Sequence, residues 1–116
     1  MKIRIVGGQP LVSVALQHDG KYVEFKNVLL DTGSGGSLFP TDKLNQASIQ
    51  PKPGAIIRQI IGIGGSESVI EMPIDRIAVG DMVLENFVIE SGKSYEEFGF
   101  EAILAFDFYK QLEGWT

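Results

Sequence analysis

The chain has 116 residues, 44% of them hydrophobic and 22% charged, and a formal net charge of −5. A chain of this length can bury one modest core, which excludes two catalytic domains and any large nucleotide-binding fold, and the composition excludes a disordered tail. The sequence has no cysteine and a single histidine, which excludes disulfides, thiolate zinc sites and cysteine nucleophiles.

Short apolar or alternating segments, separated by glycine and proline, predict an all-β protein. The segments 11–16 and 22–25 flank Asp19-Gly20, and an Asp-Gly pair between two such segments predicts a hairpin. The segment 41–46 has room for one helical turn at most.

The second half of the chain continues the same pattern. Segments 56–61 and 69–79 predict two strands on either side of a glycine-rich loop at 62–66, which we expect to be too rich in glycine to be rigid. Segment 82–90 predicts a further strand. We find no linker or repeat, so we expect residues 1–116 to form a single domain.

The C-terminal part predicts a short apolar segment followed by a helix. Ile103-Leu104-Ala105 is the apolar segment, and the helix behind it has Asp107 as its expected N-cap and Gly114 as its expected end. It is the only convincing helix in the sequence.

Several polar side chains are expected to be solvated. His18 lies beside the predicted hairpin turn, and Glu96, Glu97 and Glu101 read as an acidic surface loop. We therefore predict no metal site at either place.

Location and partners follow from the apolar pattern and the charge. No apolar run approaches the ~20 residues of a membrane-spanning helix, and the first apolar segment is interrupted at Gly7-Gly8. We expect no membrane partner, no signal peptide and a cytoplasmic location. The negative net charge also argues against a nucleic-acid partner.

The candidate site for chemistry is the segment Leu29-Leu30-Asp31-Thr32-Gly33-Ser34. It places a carboxylate at the end of a buried-type strand and before a glycine-rich loop. Two alternatives for such a loop are the cofactor loop of methyltransferases and the phosphate loop of the actin and sugar-kinase type. Both need a much longer chain with alternating strands and helices. The loop here is followed by Leu38-Phe39-Pro40, so we do not favour them.

The same segment resembles the active-site motif of the retropepsin-like aspartic proteases. Gly62-Ile63-Gly64-Gly65 is similar to the glycine-rich flap of that family, and Ile103-Leu104-Ala105 is similar to its second apolar element. The resemblance implies an acid-protease closed barrel with a flap and one short C-terminal helix.

The resemblance also implies a mechanism. The chain carries one Asp-Thr-Gly motif where two are needed, which implies a homodimer with Asp31 from each subunit at the two-fold axis and an activated water as nucleophile. The implied substrate is an extended peptide, without metal or organic cofactor.

Individual roles follow from the resemblance. Asp31 is expected to be catalytic, Thr32 to bond across the dimer, Gly33 to offer its backbone to substrate, and Ser34 to donate to the outer oxygen of Asp31. Ala105 is expected to support the loop, and Gly62, Ile63, Gly64 and Gly65 to form the flap over the substrate.

This chain departs from the family pattern near the loop. Ala105 stands where the family has glycine, and Phe106 and Gly35 replace an arginine–aspartate ion pair of the retroviral members. Alternative functions are a non-catalytic dimerisation or peptide-binding module with the same fold, or a domain whose activity depends on a larger protein.

Overall fold

The computed structural model describes residues 2–62 and 65–112. Its elements in chain order are β1 (Arg4–Val6), β2 (Gln9–His18), β3 (Lys21–Asp31), β4 (Leu38–Pro40), α1 (Thr41–Gln46), β5 (Ile56–Gly62), β6 (Gly65–Val79), β7 (Met82–Gly92), a 3₁₀ turn (Glu96–Phe98), β8 (Ala102–Ala105) and α2 (Phe106–Leu112).

Six strands form a closed barrel. They follow the order β2-β3-β8-β4-β7-β6, and β2 closes the ring by pairing with β6 at Ala15–Ala78, Leu16–Ile77 and Gln17–Arg76. Strands β1 and β5 lie outside the ring, each paired with one neighbour. The expected all-β acid-protease barrel with one short C-terminal helix is confirmed.

Turn chemistry explains the first hairpin. Strands β2 and β3 pair in antiparallel register up to His18–Lys21, which leaves Asp19-Gly20 as a two-residue turn. Both turn residues have positive φ, 50° and 76°, as a type I′ turn requires. The predicted hairpin is therefore confirmed.

The barrel interior is filled by aromatic and branched side chains. Phe25, Phe39, Phe87 and Phe108 are fully buried, and the rings of Phe25 and Phe39 lie 5.2 Å apart. Phe108 comes from α2, so this short helix is held against the barrel by its buried face. No helix in residues 2–62 and 65–112 is long and apolar enough to cross a membrane.

Element boundaries differ from the predictions in three places. Helix α1 has six residues, more than the single turn expected for 41–46. Strands β5 and β6 pair up to Gly62–Gly65, so the predicted loop 62–66 is mostly strand. Strand β6 begins at Gly65 rather than Val69 because its antiparallel register with β5 continues without interruption.

Two side chains predicted to be solvated are buried. His18 is 9% exposed and Glu101 is 8% exposed. The His18 imidazole lies between Asp19 and Asp75, 3.5 and 3.6 Å from their carboxylate oxygens, and Glu101 binds Lys43 and the backbone of β3. Asp75, Lys43 and the backbone of β3 lie far along the chain from the residues they contact, so a local pattern did not reveal this burial.

Candidate active site

The topology places Asp31 at the end of β3, where the strand becomes partly buried. The last residues of β3 pair in parallel with β8, and Asp31 lies opposite Ala105. A parallel strand covered on both sides is typically apolar, as Val28-Leu29-Leu30 is. Asp31 is the first residue to leave this apolar run, and it is half-buried.

The loop after Asp31 folds back onto its carboxylate. The Gly33 amide donates to Oδ1 at 3.0 Å, and the Ser34 hydroxyl donates to Oδ2 at 3.1 Å. The Ser34 amide also donates to the Asp31 carbonyl oxygen at 3.2 Å. Each carboxylate oxygen of Asp31 therefore accepts a hydrogen bond from its own loop, which fixes the carboxylate orientation. The hydrogen bond expected from Ser34 is present.

The other residues predicted to form the site occupy different environments. Thr32 and Gly33 are exposed beside Asp31, whereas Ala105 is fully buried behind it. A Cβ at Gly33 would lie 3.3 Å from Asp31 Oδ1, so the backbone approaches the carboxylate closely at this position. The roles of these residues in a reaction stay predictions.

A hydrogen-bond network that the sequence did not reveal supports the loop from behind. The Ala105 amide donates to the Ser37 hydroxyl at 3.0 Å, and this hydroxyl donates to Asp107 Oδ1 at 2.7 Å. The Ser37 amide donates to Asp107 Oδ2 at 3.2 Å. The network joins the end of the Asp31 loop to β8 and to the start of α2.

Asp107 is therefore not the N-cap that the sequence predicted. It is the second residue of α2, and its Oδ1 accepts from the Phe108 amide as well as from Ser37. The prediction was wrong because β8 continues directly into the helix at Phe106, so the carboxylate lies within the first turn. The predicted helix end at Gly114 lies outside the described residues.

A pocket of about 600 Å³ opens in front of Asp31. Its floor includes Gly33 to Gly36 of the loop, and one wall is formed by Ile60 and Ile61 of β5. Ile61 is 92% exposed at the far end of its strand. We call β5 and the part of β6 that pairs with it, residues 56–71, the flap hairpin. Ile63 and Gly64, predicted at its tip, lie outside the described residues.

A second carboxylate, Glu90 of β7, lines the same pocket. It is 8% exposed, and its Oε2 lies 3.5 Å from Nη2 of Arg58 on the flap hairpin. Burial raises the pKa of Glu90 above its usual value; Arg58 opposes this effect, and the negative charges of Glu71 and Asp107 add to it. No local sequence pattern points to this residue, because β7 is brought next to the loop by its pairing with β4.

Tyr95 connects the pocket to the flap hairpin. Its hydroxyl contacts both carboxylate oxygens of Glu67 in β6, at 2.6 and 2.7 Å. Burial, the hydrogen bond to Glu67 and the negative charge of that residue all raise the pKa of Tyr95. The phenol therefore stays protonated and remains a donor throughout the physiological pH range.

One group among the described residues has the composition of a cation site. Ligand atoms of His18, Asp19 and Asp75 all lie within 4.8 Å of one another. Both aspartates are largely exposed, and the two imidazole nitrogens face different carboxylates. This arrangement is that of a buried histidine side chain lying between two carboxylates. The prediction that the protein needs no metal stays a prediction.

Comparison with known proteins identifies the family. A family model described as aspartyl protease matches residues 14–99, which include β3, the Asp31 loop, the flap hairpin and β7. No curated protein matches the chain. The matched segment spans most of the sequence and contains Asp31 and its loop. The chain therefore belongs to the retropepsin-like aspartyl protease family.

Proposed function

We propose that this protein is an aspartic endopeptidase that hydrolyses peptide bonds in extended polypeptide segments, with Asp31 as its catalytic residue. The observation that carries the proposal is the Asp31 carboxylate, oriented by Gly33 and Ser34 at the floor of a pocket beside the flap hairpin. Membership of the aspartyl protease family supports the same chemistry.

The proposed reaction needs two carboxylates that share one proton. One carboxylate takes a proton from a water molecule as the water attacks the scissile carbonyl carbon, while the protonated one donates to the carbonyl oxygen. The chain supplies one Asp-Thr-Gly motif, so we propose a homodimer in which Asp31 of each subunit meets at the two-fold axis. Such a pair titrates as one unit.

The neighbouring residues have proposed supporting roles. Thr32 is exposed beside Asp31 and would bond to the loop of the second subunit, holding the two carboxylates coplanar. Ser34 keeps one Asp31 oxygen in place, and Ala105 packs behind the loop. The Gly33 backbone and the flap residues Gly62, Ile63, Gly64 and Gly65 would contact an extended peptide by strand-like pairing.

The domain extent, the cofactor requirement and the location of the protein are also proposals. We propose that residues 1–116 act as one domain, that no cofactor takes part, and that the protein works in the cytoplasm. The alternative is a module that keeps the protease fold and binds peptides or a second copy without cleaving. The intact carboxylate and its two hydrogen bonds favour the enzyme.

Digestion of an unstructured protein between about pH 3 and pH 7 tests the proposal, with products read by mass spectrometry. We expect cleavage by the parent and by Asp81→Asn, a matched change at an exposed turn, but none by Asp31→Asn. Equal cleavage by Asp31→Asn would overturn the assignment of Asp31. Peptide binding without cleavage by a dimeric parent would establish the alternative.

A further inference from the structure

The flap hairpin and β7 place two glutamates directly opposite each other. Glu71 of β6 and Glu90 of β7 are cross-strand partners in the antiparallel pair. Like charges at directly opposed positions destabilise a sheet, so this pairing needs a compensating cation.

Arg58 supplies one positive charge for the two carboxylates. Its Nη1 lies 3.6 Å from Glu71 Oε2, and its Nη2 lies 3.5 Å from Glu90 Oε2. Both distances are longer than a charge-assisted hydrogen bond, and the Arg58 side chain is half-exposed. The three groups together carry one uncompensated negative charge when both glutamates are ionised.

This uncompensated charge lies next to the catalytic loop. Glu90 and Arg58 line the pocket that contains Asp31. The Glu90 carboxylate packs against the loop at Gly36, where an added Cβ would lie 2.7 Å from its Oε1. A substrate side chain that enters the pocket therefore meets a carboxylate that is largely buried and only partly neutralised.

We propose that Glu90 is a specificity-determining residue of this pocket and selects substrates with a lysine or arginine side chain near the scissile bond. A cationic side chain brings the positive charge that Glu71, Glu90 and Arg58 lack among themselves. An acidic substrate side chain meets Asp31 and Glu90 together and is rejected by repulsion. The proposal deepens the proposed peptidase function and rests on its pocket.

Two substitutions should change the preference for a basic side chain in opposite directions. Glu90→Gln leaves one carboxylate for one guanidinium, so the preference for a basic side chain should disappear. Arg58→Gln leaves two carboxylates without their cation, so the preference should increase. Glu85→Gln is the matched control, because Glu85 lies on the same strand, is exposed and pairs with Arg76.

Peptide binding to variants that cannot cleave tests this proposal independently of catalysis. Each variant is combined with Asp31→Asn, and fluorescence anisotropy measures the dissociation constants of short, apolar, extended peptides with a single lysine at successive positions. The measurement is made at about pH 8, well above the ordinary pKa of a glutamate and below that of a lysine. The reference peptides carry norleucine, which has nearly the same shape without the charge. The ratio of the two constants does not depend on how much of the sample is folded.

At one lysine position we expect about tenfold tighter binding than with norleucine, a ratio near one for Glu90→Gln and a larger ratio for Arg58→Gln. The ratio should match the parent's in Glu85→Gln and should shrink with added salt. The same ratio in Glu90→Gln and Glu85→Gln, or no lysine preference at any position, would overturn the proposal. Failure of the parent to cleave these peptides is a separate result, which bears on the peptidase function alone.

Discussion

Two glutamates of this protein are equally buried and differently compensated. Glu90 and Glu101 are each 8% exposed. Burial disfavours the ionised form of Glu101, but hydrogen bonds from Lys43 and from the backbone of Asn27 and Lys26 outweigh it, so the pKa of Glu101 is lowered. Burial raises the pKa of Glu90, and a single shared arginine does not reverse the effect.

The difference separates a carboxylate held by several hydrogen bonds from a carboxylate that lines the pocket beside Asp31. Glu101 accepts from the Lys26 amide at 2.8 Å and from the Asn27 amide at 3.2 Å, and it binds Lys43. It holds the segment before β8 against β3. The Glu90 carboxylate is paired with Arg58 at 3.5 Å, which is longer than a hydrogen bond to a charged group. It lines the same pocket as Asp31.

The largest expected effect on folding comes from removing Glu101. Glu101→Ala leaves two backbone amides and the Lys43 ammonium without their acceptor, so we expect the free energy of unfolding to fall by about 3 kcal/mol. Urea denaturation measures this loss. Glu97→Ala, at an exposed position in the same loop, should change the free energy by less than about 0.5 kcal/mol. A similar small change for Glu101→Ala would contradict its structural role.

A smaller effect is expected where Glu90 contacts the Asp31 loop. Gly36→Ala places a Cβ against the Glu90 carboxylate, so we expect a loss of about 2 kcal/mol in the free energy of unfolding. In a Glu90→Ala background this loss should disappear, because the clashing atoms are gone. Gly35→Ala is the control, since an added Cβ there meets nothing within 4 Å. Equal losses in both backgrounds would place the Glu90 carboxylate elsewhere.

The smallest effect is the pH dependence of stability, which has opposite signs at the two glutamates. Glu101 has a lowered pKa, so its contribution is present above about pH 4.5 and is lost as the pH falls through the folded value. Glu90 has a raised pKa, so its contribution is present below about pH 4.5 and is lost as the pH rises through the folded value.

Urea midpoints of the glutamine variants between about pH 3 and pH 7 measure these contributions. Glu101→Gln should flatten the acid side of the stability profile. Glu90→Gln should gain stability over the parent as the pH rises, by about 1 kcal/mol. Changes of the same sign in both variants would contradict the comparison.

The parts of this molecule that depend on local sequence could be predicted. The Asp19-Gly20 hairpin is fixed by two adjacent turn residues, and the Asp31 loop follows its apolar strand directly. The Ser37–Asp107 network and the burial of Glu101 depend on residues about seventy positions apart. Both features arise from the pairing of β8 with β3 and β4. The alternation of apolar and polar residues within a segment does not reveal which strands pair.

The place of Glu90 in the pocket could not be predicted from the sequence for the same reason. It lies on a strand that the sequence predicted, but its position beside Gly36 follows from the parallel pairing of β4 with β7. A motif search finds the Asp31 loop because its residues are contiguous. It misses the rest of the pocket because the lining residues come from β3, β4, β5, β7 and β8, which are separated along the chain.

Subunit mixing tests most directly whether two copies of Asp31 share one peptidase site. Parent and Asp31→Asn subunits are mixed at increasing fractions under conditions that allow exchange, and peptide cleavage is measured. If each site needs both carboxylates, activity follows the square of the parent fraction and falls to about one quarter in an equal mixture. Mixing with Asp81→Asn should leave it unchanged. Activity proportional to the parent fraction, or no cleavage by the parent alone, would contradict a shared peptidase site.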